Sequence, residues 1–137
     1  MPGPTPESLA KSGSEGAEQT ALFCWAALPE QQQKYPELKF MFHVPNGGGR
    51  SKSEAGKFKA QGVKPGVPDI FLPISRGGFH GLWIEMKFGL NKTSNDQNLF
   101  LNFLTIQGYA VNVCYSWQEA VKTIEAYFAL MPIGNFN

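Results

Sequence analysis

The sequence predicts an α/β fold in which helices flank a mixed β-sheet. Segments with the three- and four-residue spacing of amphipathic helices alternate with short runs rich in β-branched and aromatic residues. Turn-forming glycines and prolines separate these segments. The resulting order is α-β-(α)-β-β-α-β-α, and a short turn between two neighbouring strands predicts a hairpin within the sheet.

The first predicted helix covers residues 14–28. Its apolar residues recur at helical spacing, and Ser14 stands where an N-cap is expected. The glutamine run 31–33 and then Tyr35-Pro36 should end the helix, because the residue before a proline is biased away from the helical conformation. A strand rich in aromatic residues follows over 38–44, and the turn residues of 45–49 break it.

The rest of the chain supplies three strands and three helices. A short helix is predicted first, then the two strands of the hairpin, a helix, a strand and a last helix, over residues 51–61, 67–72, 79–88, 94–107, 109–115 and 116–130. Gly108 stands just past a helix, where a left-handed residue is common. Ser116 and Glu119 have the spacing of a capping box.

The chain of 137 residues has the length of one domain. Residues 1–13 are expected to be a flexible leader, and residues 14–137 a single domain. The leader lacks the apolar stretch of a signal peptide, and no apolar run is long enough to span a bilayer, so a cytoplasmic protein is expected. Cys24 and Cys114 are predicted to be reduced thiols.

Three charged residues interrupt the apolar strands of the predicted hairpin. Asp69 lies within the first strand, and Glu85 and Lys87 lie two residues apart in the second, which places them on one face. If the strands pair, Asp69 comes beside Glu85. Two carboxylates this close repel each other unless a proton or a cation lies between them. Taken singly, each residue has a plainer reading, as a solvated strand face or an ordinary turn.

A hard divalent cation is the natural occupant of such a carboxylate pair. Mg²⁺ uses one or two carboxylates together with waters and phosphates. Lys87 would then orient the attacking water or stabilise charge that develops on a phosphate. The spacing therefore indicates a metal-dependent enzyme that acts on phosphate esters.

The ordered set of motifs resembles the virus-type replication-repair nuclease (VRR-NUC) domain of the PD-(D/E)XK superfamily. The likeness covers roughly residues 14–125, and its matching segments are SEGAEQ at 14–19, HVPNGGGR at 43–50, GVKPGVPD at 62–69, EMK at 85–87, Gln97 and the Gly-Tyr pair at 108–109. It implies a restriction-endonuclease-like α-β-β-β-α-β core. It also implies a nuclease that uses Mg²⁺ or Mn²⁺, with Asp69, Glu85 and the Met86 carbonyl as ligands and Lys87 assisting.

The resemblance further implies a glutamate from the first helix, for which two candidates exist. Glu18 falls within the apolar arc of the helix, where a carboxylate needs a purpose, and is therefore favoured. Glu15 lies at the rim of that arc and also fits the family pattern. For either residue, stabilisation of the helix dipole is the plainer explanation.

Each of the other candidate residues has both a structural and a functional interpretation, and the sequence does not decide between them. Gln97 completes a capping box with Ser94 and, by the resemblance, lies near the active site. Asn46 and the glycines after it form a turn or let the backbone approach a phosphate. His43 is expected to be a hydrogen-bonded side chain rather than a catalytic base.

A run of basic residues is the other candidate for contact with DNA. The net charge of +1 does not by itself identify a nucleic-acid-binding protein. However, five cations cluster within fifteen residues, and they are Arg50, Lys52, Lys57, Lys59 and Lys64. The run is either a solvated face or a surface that faces phosphates.

The functional expectation is a structure-selective DNA endonuclease, most specifically a four-way (Holliday) junction resolvase. The resemblance implies this activity, a role in DNA repair, frequent occurrence in phage, and a homodimer. The apolar stretch 127–136 supplies material for a dimer interface or folds back on its own domain. Two alternatives remain, namely a non-catalytic DNA-binding module and an end-processing or restriction-type nuclease.

Overall fold

A computed structural model describes residues 3–45 and 52–132 of the chain. The helices and strands alternate along the sequence in largely the predicted order. They are α1 (Pro6–Ala10), α2 (Glu15–Ala27), α3 (Pro29–Lys34), a 3-10 helix (Pro36–Phe40), β1 (Phe42–His43), α4 (Lys52–Ala60), β2 (Ile70–Leu72), β3 (Leu82–Met86), α5 (Asn95–Ile106), β4 (Ala110–Cys114) and α6 (Trp117–Phe128).

The four strands form one mixed sheet in the order β1-β2-β3-β4. The β1–β2 and β2–β3 pairs are antiparallel, whereas β3 and β4 run parallel. This arrangement confirms the predicted α/β class with a mixed sheet and helices around it. The predicted hairpin is also present, because Ile70 pairs with Ile84 and Leu72 with Leu82.

The hydrophobic core lies between the sheet and helices α2 and α6. Ile70, Leu72, Ile84 and Met86 project from the sheet into this core and are fully buried. Successive side chains of a strand alternate between faces, so Glu85 and Lys87 point away from the core. Helix α5 lies on this second face, since Gln97 at its start contacts Glu85.

Side-chain caps begin the helices where the sequence predicts them. Ser14 accepts a hydrogen bond from the N–H of Ala17 at the start of α2, and Ser116 accepts one from Glu119 at the start of α6. Ser94 and Gln97 form a reciprocal capping box on α5. These caps satisfy N–H groups that have no partner within the helix.

The predicted flexible leader over residues 1–13 is wrong for the part that the structure describes. Residues 6–10 form α1, which Thr5 caps and which packs along α2. Pro6 is buried, and Leu9 lies against the core. The short apolar segment of the leader therefore buries surface that α2 would otherwise expose.

The predicted strand 38–44 is likewise mostly wrong. Its first three residues belong to the 3-10 helix, and only Phe42 and His43 pair with β2. Pro36 stands in the first turn of that helix, where its fixed φ and missing N–H are tolerated. The glutamine run, expected to end a helix, instead lies inside α3.

The described part of the C-terminal stretch folds back on its own domain. Tyr127 is buried, and its hydroxyl donates to the carbonyl of Ile74. Phe128 stacks on Tyr35 with ring centroids 4.6 Å apart. Residues 133–136 of the predicted interface segment lie outside the described residues. Across the described ranges, no helix is both long enough and apolar enough to cross a membrane.

Candidate active site

The strand register brings the carboxylates of the hairpin together. Asp69 directly precedes β2, and continuing the Ile70–Ile84 pairing by one residue places it opposite Glu85. The backbone carbonyl of Asp69 accepts a hydrogen bond from the N–H of Val44 at 2.7 Å and contacts Nδ1 of His43 at 2.9 Å. The end of β1 thus fixes the backbone of Asp69. His43 acts here as a hydrogen-bonded side chain.

A third carboxylate completes the cluster from the start of α2. One oxygen each from Glu15, Asp69 and Glu85 lies within 4.8 Å of the others. Two neighbouring groups hold the carboxylates in place. The N–H of Met86 donates to Oδ2 of Asp69 at 2.9 Å, and Nε2 of Gln97 donates to Oε2 of Glu85 at 3.2 Å.

Lys87 is the cation of the cluster. It is buried, and its Nζ lies 3.9 Å from Oε2 of Glu85. Its N–H donates to the carbonyl of Cys114, which continues the β3–β4 pairing by one residue. The sheet therefore holds the backbone of Lys87 while its ammonium group faces the carboxylates.

The electrostatics of the cluster favour bound positive charge. Burial raises the pKa of Glu85 to about 9, and the charge of Asp69 adds to the shift while Lys87 opposes it. Burial also raises the pKa of Glu15, against the attraction of Lys87. One lysine does not balance three carboxylates. Without a cation, the cluster must therefore hold a proton.

One carboxylate oxygen of the cluster shows whether the site suits a metal ion. Oε1 of Glu85 is buried, and within residues 3–45 and 52–132 no donor reaches it. It can share a proton with Asp69 or bind a cation. Three carboxylates of this spacing suit a hard divalent cation that prefers oxygen ligands. The donor set thus fits Mg²⁺ or Mn²⁺.

Glu18, the favoured glutamate of the first helix, does not join the cluster. It faces the interior as predicted, but its Oε1 accepts the N–H of Trp117 at 2.9 Å. Its purpose is therefore to satisfy an N–H group at the start of α6, where a negative charge is also favoured by the helix dipole. The structure places Glu15, the less favoured candidate, with Asp69 and Glu85.

Comparison with known proteins assigns the chain to a family. The sequence model of the VRR-NUC domain matches residues 17–118, about three quarters of the chain. The chain belongs to the VRR-NUC family. The matched range includes Asp69, Glu85 and Lys87, while Glu15 lies two residues before it.

A solved structure described as a VRR_NUC domain protein is similar over nearly the whole chain. It shares 31% sequence identity and superimposes with a TM-score of 0.73, covering 87% of this chain and 91% of that one. No curated protein matches. Membership places the chain in a nuclease-type domain family, of a kind that is usually metal-dependent.

In this VRR-NUC domain, the cluster of Glu15, Asp69 and Glu85 opens into a cleft of about 260 Å³ between the hairpin, α2 and α5. Sequence reasoning gave no role to Asp96, which lines the cleft, and it placed residues 65–67 only within a matched segment and Ser94 only in a capping box. The sequence feature that could have identified Asp96 as a cleft residue is its position in the first turn of α5, next to Gln97. The side chain of Gln97 both caps α5 and contacts Glu85.

Gly66 allows the start of α5 to approach the Asp69 segment. Its φ is +86°, and a Cβ there would lie 2.5 Å from the backbone carbonyl group of Asp96. We expect Gly66→Ala to push α5 away and to separate Gln97 from Glu85. The expected result is a loss of nuclease activity larger than the loss of thermal stability, measured by cleavage assays and melting curves.

Gly62 provides a matched control for that substitution. Its φ is +98°, but a Cβ there would meet open space. Gly62→Ala therefore carries the same kind of backbone strain without the clash. Equal losses of activity in the two variants would contradict the importance of the contact between Gly66 and α5.

The predicted DNA-binding residues lie only partly within the described structure. Lys52, Lys57 and Lys59 are exposed on α4, and Lys64 is exposed just before the residues that line the cleft. Asn46 and Arg50 lie outside the described residues. Lys52 and Lys59 are seven residues apart and thus share one side of α4.

Proposed function

We propose that this chain is a divalent-metal-dependent DNA endonuclease that acts on branched DNA. The observation that carries the proposal is the cluster of Glu15, Asp69 and Glu85 beside Lys87 at the end of the hairpin. A cation held there would supply Lewis-acid stabilisation of the phosphate and activation of water. In the reaction, water attacks phosphorus and one P–O bond of the DNA backbone breaks.

The residues around the carboxylates have separate proposed roles in holding the metal and in catalysis. The Met86 N–H and the Gln97 amide each occupy one oxygen of a carboxylate. Oε1 of Glu85 has no donor among the described residues and is proposed to bind the metal. The Lys87 ammonium group donates to the attacking water or to a phosphate oxygen. Its charge also offsets part of the carboxylate charge when no metal is bound.

Met86 is proposed as a further ligand through its carbonyl oxygen. Its N–H faces Asp69 rather than β4. The N–H and C=O of one strand residue point toward the same neighbouring strand. The carbonyl of Met86 is therefore directed to the Asp69 side, where the metal position is proposed.

Glu15→Gln and Glu18→Gln distinguish the two glutamates of α2. Glu15→Gln removes a charge from the cluster, so cleavage should fall by about tenfold or more, the range for weakened metal sites. Glu18→Gln keeps an oxygen that can accept the N–H of Trp117, and its cleavage should stay near wild type. Rates at saturating Mg²⁺ and titrations of Mg²⁺ measure both effects. The opposite ranking would return Glu18 to the active site.

A four-way junction is the proposed substrate, cut by a homodimer. The family resemblance of the sequence supports this choice. A junction presents two strands at positions related by approximate two-fold symmetry, and an isologous dimer carries two active sites with matching symmetry. Lys64 directly precedes the cleft residues 65–67, and it is proposed to contact phosphates together with the lysines of α4.

Replacing Lys52 and Lys59 together by Gln should flatten the salt dependence of DNA binding. Each phosphate contact that is lost reduces the slope of log K against log salt by about 0.9 on duplex arms. Fluorescence anisotropy at several salt concentrations, with Ca²⁺ in place of Mg²⁺, measures the slope. Lys39→Gln with Lys122→Gln is a charge-matched control on other surfaces. Equal slopes for both pairs would make the α4 run a solvated face.

The decisive experiment compares cleavage of a four-way junction, a flap and a linear duplex, with Mg²⁺ and with EDTA. Paired symmetric cuts in the junction, dependent on Mg²⁺, are the expected result. Preferred attack on linear ends would indicate an end-processing nuclease. DNA binding without cleavage under any metal would indicate a non-catalytic module. Cleavage that persists in EDTA would contradict the metal site.

A further inference from the structure

Helix α5 is apolar on two opposite faces. Leu101 and Leu104 face the sheet and are buried. Leu99, Phe103 and Ile106 lie on the other side of the helix, and they are 71%, 56% and 80% exposed. We call these three residues the α5 stripe. An apolar face of a helix is normally buried against another element.

The α5 stripe has the wrong chemistry for DNA or for a charged partner. Helix α5 contains no lysine or arginine, and Asp96 in its first turn is its one charged residue. DNA binding depends on cations that neutralise phosphates. The stripe also lies beside an apolar groove of about 370 Å³ lined by Leu99, Phe100 and Phe103. Its natural partner is another apolar helix surface.

The spacing of the α5 stripe makes it self-complementary. If two α5 helices lie antiparallel about a two-fold axis at Phe103, each Phe103 meets its own copy. Leu99, four residues before, then meets Ile106, three residues after. No charge is brought onto a like charge in this arrangement. An isologous interface requires this kind of self-match.

We infer that the α5 stripe is the centre of the homodimer interface, with two α5 helices packed antiparallel. The exposed area of the three side chains is roughly 400 Å² per copy, if a large apolar side chain presents about 200 Å². A standard interface buries about 800 Å² per partner. The stripe thus supplies the apolar centre, and neighbouring polar residues supply the rim.

This location replaces the C-terminal stretch as the interface, because Tyr127 and Phe128 are engaged with their own domain. The inference rests on the proposed function only for the purpose of the dimer. Since α5 also carries Gln97, dimer formation would support the start of the helix that contacts Glu85. Self-association itself is measured without DNA or metal.

The first test is sedimentation of the full chain across micromolar concentrations. Wild type is expected to dimerise, and Phe103→Glu to weaken the dimer by at least roughly a hundredfold, as loss of a central anchor does. Phe40→Glu, at a phenylalanine that is also exposed, is the matched control and should dimerise like wild type. A wild-type monomer, or equal weakening by both variants, overturns the inference.

Cysteine crosslinking tests the antiparallel geometry. Phe103→Cys should form a disulfide with its own copy on mild oxidation, and a mixture of Leu99→Cys and Ile106→Cys should crosslink more than either alone. Self-crosslinking of Leu99→Cys above that mixture would indicate parallel helices and overturn the geometry.

If the dimer forms and DNA is not cleaved, the proposed function fails while this interface stands. If monomeric protein cleaves DNA, the interface fails instead.

Discussion

Asp69→Asn and Glu85→Gln should each abolish DNA cleavage while leaving the fold intact. Each substitution keeps the shape of the side chain but removes a charge that the proposed cation site needs. Metal-ion stabilisation of phosphoryl transfer is worth several kcal/mol, so the loss should be about a thousandfold or more. Single-turnover cleavage of a labelled junction at saturating Mg²⁺ measures it. Near wild-type rates in either variant would remove the cluster from the active site.

The same substitutions are expected to stabilise the protein when metal is absent. Glu85 is 1% exposed and lies beside Asp69, and its pKa is raised to about 9. At neutral pH the carboxyl must therefore take up a proton when the metal-free protein folds, and Glu85→Gln avoids that cost, with a gain of roughly 1–3 kcal/mol. Melting curves in EDTA should therefore show Glu85→Gln above wild type.

The pH dependence gives this prediction a direction. Because the pKa of Glu85 is higher in the folded than in the unfolded protein, the folded state binds more protons between the two values. The free energy of unfolding of the metal-free protein should then fall as pH rises through that window. Glu85→Gln should remove this part of the slope. A steeper fall in the variant than in wild type would contradict the assigned cause.

The hairpin and its charged residues could be predicted because their signals are local. An aspartate within one predicted apolar strand and a Glu-x-Lys triplet within the next are visible in the sequence, and a period of two fixes their faces. The structure adds the register that places Asp69 opposite Glu85. That register depends on the turn between the strands, for which residues 73–78 gave only a general turn signal.

The choice between Glu15 and Glu18 could not be made from the sequence. Helical periodicity shows that Glu18 faces inward, but not what it meets there. Its partner, the N–H of Trp117, lies 99 residues further along the chain. A buried carboxylate that caps a distant helix and one that binds a metal give the same local pattern, and only tertiary packing separates them.

The first strand and the leader show the opposite error, in which local propensity was overridden by packing. The segment 38–44 is rich in strand formers, yet its first three residues belong to a 3-10 helix that begins at Pro36 and buries Leu38 in the core. Pro6 and Leu9 looked like part of a flexible tail, yet α2 offers them an apolar surface. Both outcomes depend on contacts that the local sequence does not contain.

Lys87→Ala should reduce the rate of cleavage far more than it weakens DNA binding. The ammonium group lies 3.9 Å from Glu85, inside the cluster and buried, so its contribution is made close to the reacting phosphate rather than along the DNA. Loss of one donor to developing charge typically lowers turnover by about a hundredfold to a thousandfold. A group that acts mainly in the transition state changes kcat more than affinity.

Single-turnover kinetics separate the two effects of Lys87→Ala. The maximal rate at saturating enzyme reports chemistry, and the enzyme concentration for half-maximal rate reports binding. Lys64→Ala is the matched control, because Lys64 is exposed at the approach to the cleft and should change binding with little effect on the maximal rate. Because Lys87 also offsets carboxylate charge, both variants are compared at saturating Mg²⁺. Melting curves check that each variant is folded. If Lys87→Ala lost binding and maximal rate in equal proportion, its ammonium group would be a phosphate anchor rather than part of the chemistry.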